Sequence, residues 1–208
     1  MRDKQANHPI GYYFITDAAL SRNGNLSDVK NAVLAGVKFI QYRNKDSAAR
    51  QMCAEAIKLR RLCRHAALLV NDRVDVAMAS HADGVHLGQD DLSCGLARRM
   101  LGRKAIIGVT VHDLNEAKIA ESEGADYVAV SPIFFTTTKK DAARPVGLSL
   151  IGELKRHLRI PLVAVGGINL SNAKEVVAAG ADGLCAVSAV VASTNVRSQI
   201  RRFQELFK

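Results

Sequence analysis

Short runs rich in valine, isoleucine and aromatic residues recur along the whole chain, and this recurrence limits the fold more than any other feature. The runs are Tyr12–Thr16, Phe39–Arg43, Leu68–Asn71, Gly84–Leu87, Ile106–Thr110, Tyr127–Val130, Pro161–Val165 and Gly183–Val187. Each is too short for a helix and almost continuously apolar, as a strand covered on both faces must be. Most are separated by a segment of helical period. In Ser47–Arg64, Met52, Ala56, Leu59 and Cys63 form one apolar stripe, while Arg50, Glu55 and Lys58 fall elsewhere. Asp113, with Glu116 three residues on, predicts a capping box. Ser171 predicts the cap of a helix over Asn172–Ala179. Gly36, Gly124 and Gly180 stand where helices should end.

The strings HADGVHL, EGADYVAV and AGADGLCAV, with LAGVKFIQ as a looser copy, repeat a helix end, an acidic residue and a following strand. One repeated β-α unit favours a closed parallel barrel or an open doubly wound sheet. Eight runs in 208 residues leave about 26 residues per unit, near the compact limit of a (β/α)8 TIM barrel. An open dinucleotide-binding sheet calls for a glycine-rich turn after the first strand, but Asp17-Ala18-Ala19 stands there. The expectation is an α/β chain forming a (β/α)8 barrel, one compact domain over residues 1–208.

Composition removes other classes. With 48% hydrophobic and 24% charged residues, the chain is of ordinary globular make-up, and no apolar run approaches a membrane span. The polar start carries no secretory h-region, so a cytoplasmic location is expected. Cys53, Cys63, Cys94 and Cys185 show neither a C-x-x-C pair nor zinc spacing and read as small buried hydrophobes. The net charge of +9 would suit nucleic acid or a membrane surface, or else polyanionic small molecules. The basic residues are scattered through helix-like segments and no nucleic-acid-binding signature accompanies them. Neither nucleic acid nor membrane is expected as a partner, and a homo-oligomer is left open.

In such a barrel the chemistry sits at the C-terminal strand ends. The second run ends in Gln41-Tyr42-Arg43-Asn44-Lys45, where alternation sets Gln41, Arg43 and Lys45 on one side. The third ends in Asn71-Asp72, the fourth in Gly88-Gln89-Asp90-Asp91 and the fifth in Thr110-Val111-His112. The sixth opens into Ser131–Arg144, with Thr136, Thr138 and Lys139. Arg43, Lys45 and Lys139 offer donors to an anion. Asp72 and Asp91 offer the hard oxygens that Mg2+ prefers, although each could instead cap the following helix. The two carboxylates could also form a glycosidase pair, but neighbouring cations would hold both acids ionised. Gly166-Gly167 and Val187-Ser188 follow the seventh and eighth runs, where barrels often bind phosphate. A magnesium-pyrophosphate cradle facing a monophosphate site implies two phosphorylated substrates. His112 could cap a helix or support the site, and His86, inside the fourth run, reads as structural.

The strings QYRNK, VNDRVDVA, ADGVHLGQDD, IGVTVH, TTTKK, VAVGGI and AVSAV follow, in order, the landmarks of the thiamine-phosphate synthase family, from about Tyr13 to Val190. The chain resembles that family, which also includes a thiazole tautomerase branch. The resemblance implies a transferase that joins 4-amino-5-hydroxymethyl-2-methylpyrimidine diphosphate to hydroxyethylthiazole phosphate, giving thiamine phosphate and pyrophosphate by a dissociative, Mg2+-assisted substitution. It implies that Gln41, Arg43, Lys45, Asn71 and Lys139 contact the pyrimidine diphosphate and that Asp72 and Asp91 hold Mg2+. It assigns Thr136, Thr138, Gly167, Val187 and Ser188 to the thiazole phosphate, with Thr110 beside the reacting groups. Thr110 stands where the family usually has Ser, Asn44 where it commonly has Glu, Ser131-Pro132 for Gly-Pro, and Phe135 for Pro. The alternatives are a tautomerase-type isomerase and a non-catalytic phosphometabolite-binding regulator.

Overall fold

A computed structural model describes residues 11–138 and 144–208. Lys139 therefore lies outside the described residues. The strands are β1 (Gly11–Tyr12), β2 (Phe14–Ile15), β3 (Phe39–Tyr42), β4 (Ala67–Asn71), β5 (Gly84–Leu87), β6 (Ile106–Val111), β7 (Tyr127–Val130), β8 (Leu162–Val165) and β9 (Gly183–Cys185). All pair in parallel in the order β1-β9-β8-β7-β6-β5-β4-β3-β2. β1 and β2 are the two halves of one strand, interrupted only at Tyr13. The first half pairs with β9 and the second with β3, and Tyr13 N–H donates to the Leu184 carbonyl at 2.9 Å. One stave thus bridges both ends of the sheet and closes an eight-stave (β/α)8 barrel.

The outer layer comprises α1 (Asn25–Leu34), α2 (Ala49–Leu62), α3 (Val74–Ser80), α4 (Cys94–Leu101), α5 (Leu114–Ser122), α6 (Gly147–His157), α7 (Ala173–Ala178), α8 (Val187–Val191) and α9 (Val196–Gln204). The apolar stripe of α2 packs as its period requires, with Met52, Ala56 and Leu59 buried and Cys63 buried just past the helix end. Asp113 caps α5 by accepting from the Glu116 N–H at 2.8 Å, but the Glu116 carboxylate reaches back to the N–H of His112 instead of completing the box on Asp113. Gly36, Gly124 and Gly180 all adopt positive φ beyond helix ends.

Some expected details differ. Val187 is not a strand residue but opens α8, because β9 stops at Cys185. Ser171 does not cap α7. Its hydroxyl and N–H both turn to the Asn169 side chain, and Asn172 occupies the N-cap position without a side-chain cap. Cys63, Cys94 and Cys185 are buried, whereas Cys53 is only half-buried, packed against the edge of the core. Among the described residues, no helix is long and apolar enough to cross a membrane.

Strand alternation divides the apolar residues into two cores. Tyr12, Phe14, Ile40, Tyr42, Leu68, Val70, Val85 and Ile107 face the helices. Tyr13, Ile15, Phe39, Leu69, Ile106, Tyr127, Ala129, Val163 and Cys185 fill the barrel. The same alternation, continued past the apolar layers, brings the polar residues at the strand ends to the barrel mouth.

Candidate active site

One cavity opens at the C-terminal end of the barrel. Its walls include Gln41, Arg43, Lys45, Asn71, Asp72, Asp91, Thr110, Thr136, Thr138, Gly167, Val187 and Ser188. Every site residue expected from the sequence, other than Lys139, is therefore brought to one mouth. Asp17, Tyr13, His86, Gln89, Ser131 and His112 also line it.

The cationic side is built on β3. Thr16 clamps the end of β2 to it, accepting from the Arg43 N–H at 2.9 Å and donating to the Arg43 carbonyl at 3.2 Å. The Arg43 guanidinium donates to Asp17 at 3.1 Å, and Asp17 is itself held by the N–H groups of Ala19 and Leu20. Asp17 therefore holds the guanidinium at the rim, a positioning role that the spacing of residues along the chain does not signal. Lys45, partly exposed, lies 3.5 Å from an Asp72 oxygen. Asn44 faces away from the chemistry. Its carbonyl oxygen accepts from the N–H groups of Asp46 and Ser47 and shapes the turn after β3.

The acidic side comes from the loops after β4 and β5. Asp72 has φ 62, a left-handed conformation that Asp tolerates better than most residues, and its N–H donates to the His86 carbonyl at 2.8 Å. Asp91 accepts from the Gly88 N–H at 2.6 Å. Neither carboxylate caps a helix: α3 has no side-chain cap, and Ser93 caps α4. The two acids are close enough for Asp91 to act on the ionisation of Asp72. Burial, followed by the neighbouring Asp91, pushes the Asp72 carboxyl up to about 6, against the opposing pull of Lys45. Two close carboxyls in this state call for a proton or a cation between them, and a pair of hard oxygens suits Mg2+, which takes phosphate oxygens and water as its remaining ligands. The donor set fits that ion.

The opposite rim rests on a close approach between loops. Gly166 and Gly167 have φ 100 and 64. A Cβ on Gly166 would lie 2.6 Å from Pro132 Cβ, and one on Gly167 would lie 2.4 Å from the Phe135 carbonyl oxygen. Glycine here lets the loop after β7 settle on the loop after β8. Phe135 itself is 78% exposed. His112 Nδ1 lies 2.9 Å from the Glu116 carboxylate, so His112 both lines the cavity and is tied to the first turn of α5.

The floor is polar, which the sequence did not reveal. Tyr13 and Tyr127 hydroxyls meet at 2.8 Å. The Gln41 amide donates to Tyr13 at 2.9 Å, and the two nitrogens of His86 lie 2.8 Å from the Tyr127 hydroxyl and 2.9 Å from Thr110 Oγ1. His86, read as structural from its place inside a strand, is part of the cavity wall.

A parallel (β/α)8 barrel with cations, paired acids and backbone turns at its C-terminal mouth belongs among the barrel enzymes that act on phosphorylated small molecules. The family described as thiamine monophosphate synthase matches residues 12–190, and the chain belongs to that family. A protein of Methanosarcina barkeri named thiamine-phosphate synthase is 48% identical over 96% of this chain and 91% of its own. One of the same name from Chloroflexus aurantiacus is 50% identical over 93% of this chain and 91% of its own. The solved structure of thiamine phosphate pyrophosphorylase from Pyrococcus furiosus superimposes with a TM-score of 0.88 at 37% identity, covering 97% of this chain and 96% of that one.

Proposed function

We propose that the chain, working as one domain over residues 1–208, transfers the aminopyrimidinylmethyl group of a pyrimidine diphosphate to the nitrogen of hydroxyethylthiazole phosphate, releasing pyrophosphate and forming thiamine phosphate. The observation that carries this reading is the shared mouth: Arg43, Lys45, Asp72 and Asp91 line the same cavity as Gly167 and Ser188. Gln41 and Asn71 are assigned to the pyrimidine diphosphate. Thr136, Thr138, Gly167, Val187 and Ser188 are assigned to the thiazole phosphate.

In this reaction the C–O bond to the diphosphate breaks and a C–N bond to the thiazole nitrogen forms. The difficult part is the charge that collects on the departing pyrophosphate. Arg43, held in place by Asp17, and Lys45 offset that charge from fixed positions, which lowers the barrier more than mobile solvent would. The family motif adds Lys139 to this set. Asp72 and Asp91 would hold Mg2+, which supplies charge neutralisation to phosphate oxygens when bound. The thiazole nitrogen is already nucleophilic, so no general base is required, and the remaining work is to orient two bound reactants.

Incubating the chain with both substrates and Mg2+ should yield thiamine phosphate and pyrophosphate, read by mass. Arg43→Ala should lower kcat by about a hundredfold. A full rate in that variant would remove Arg43 from the leaving-group site. A second reading, a thiazole tautomerase, draws support from His112, whose contact with Glu116 is suited to proton transfer. That activity would isomerise the thiazole phosphate alone and release no pyrophosphate.

A further inference from the structure

The polar groups on the cavity floor are joined end to end, and with the Gln41 amide donating to Tyr13 they fall into one order of donation. Gln41 Nε2 donates to the Tyr13 hydroxyl. Tyr13 is 1% exposed, so its own hydrogen needs a buried acceptor, and the Tyr127 oxygen stands 2.8 Å away. Tyr127, fully buried, must then pass its hydrogen to His86 Nδ1 at 2.8 Å. With Nδ1 accepting, a neutral His86 carries its hydrogen on Nε2 and donates to Thr110 Oγ1 at 2.9 Å. Burial holds both tyrosines as phenols by driving their ionisation far above its ordinary range.

We propose that Tyr13, Tyr127 and His86 form a one-way hydrogen-bond relay that sets Gln41 as an acceptor and Thr110 as a donor toward an amino-substituted nitrogen heterocycle bound in the cavity. Gln41 spends an N–H on the relay and keeps its carbonyl oxygen available. Thr110 receives a hydrogen from His86 and keeps its own hydroxyl hydrogen to give. The two ends stand on β3 and β6 and both line the cavity. A 4-aminopyrimidine offers the complementary pair, an exocyclic N–H and a ring nitrogen that accepts. The 4-oxo analogue offers the reverse pair, a carbonyl oxygen and a ring N–H, and meets like groups at both ends. Tyr13, Tyr127 and His86 are positioning residues that act through Gln41 and Thr110.

The barrel makes room for the relay. A Cβ on Gly108 would lie 2.0 Å from Tyr127 Cζ and 2.3 Å from its hydroxyl, so a glycine in the middle of β6 is what admits the phenol. Tyr127 also stacks on His86, with ring centroids 5.6 Å apart, and meets Tyr13 edge-on at 5.8 Å. These contacts hold the three rings at hydrogen-bonding separation.

The inference rests on the proposed pyrimidine substrate, and its test separates the two. Titration calorimetry without thiazole phosphate should show the wild-type chain binding 4-aminopyrimidine diphosphate about a hundredfold more tightly than the 4-oxo analogue. Tyr127→Phe, which removes one link and keeps the ring, should bring that ratio to within about threefold. Tyr13→Phe breaks the neighbouring link and carries the same expectation should Tyr127→Phe fold poorly. In the wild-type chain, 15N NMR should find His86 with its proton on Nε2. A proton on Nδ1, or a hydroxyl-deleted variant that keeps the wild-type ratio while wild type still makes thiamine phosphate, would overturn the relay alone. A wild-type chain that makes no thiamine phosphate would overturn both readings.

Discussion

The Asp72 carboxyl carries opposing demands on stability and chemistry. Its folded pKa of about 6 lies above the ordinary aspartate value, chiefly through burial and then through Asp91. The stability tied to its proton is therefore complete below about pH 4, is lost as pH rises through 6, and stays lost above. Asp72→Asn should stabilise the metal-free chain by about 1–3 kcal/mol at pH 7.5 and change little at pH 4. It should also remove Mg2+-dependent turnover. Urea unfolding at the two pH values reads the first effect, and equal changes at both would show that the acid is not held against its ionisation. Residue types at strand ends made the charged rim legible in the sequence, since a cation or an acid that closes a buried apolar run needs a polar partner beside it. The floor was not legible. Tyr13 and Tyr127 sit in apolar runs where an aromatic ring is expected as core, and nothing in a linear pattern shows which phenols meet across the barrel.

At the scale of the element, β6 has the least tolerance for change. Gly108→Ala would drive a methyl group into the Tyr127 ring. Overpacking of this kind costs about 1–3 kcal/mol, and here it should also displace the hydroxyl that reaches His86. A thermal melt should record the loss of stability, and binding of the aminopyrimidine diphosphate should weaken with it. Wild-type stability in Gly108→Ala would mean that the ring can move aside. Strand positions were readable because a doubly covered strand leaves an unbroken apolar run. Ends were less so: Val187 is apolar enough to extend β9, yet the chain turns there into α8. Ser171 has the right residue type for a cap, but Asn169 captures its hydroxyl first. Competition of that sort is decided by local geometry, which spacing does not encode.

Across the whole molecule, α9 braces the stave that closes the barrel. Phe203, fully buried, stacks on Tyr12 with centroids 5.4 Å apart, while the Tyr12 hydroxyl donates to the Ala186 carbonyl at 3.2 Å. Phe203→Ala should cost about 3–5 kcal/mol, read as a shift in the urea midpoint. A shift below about 1 kcal/mol would mean that the contact is dispensable. The barrel itself followed from counting repeated units, whereas its manner of closure did not, because one run serving two neighbours looks the same in sequence as a run serving one. That shared stave carries Tyr13 between its halves. Sealing the cylinder and furnishing its polar base are consequently a single event: a chain whose seam has opened lacks both a continuous wall and the phenol that links Gln41 to the opposite side, so a half-assembled barrel has no means of telling one heterocycle from another.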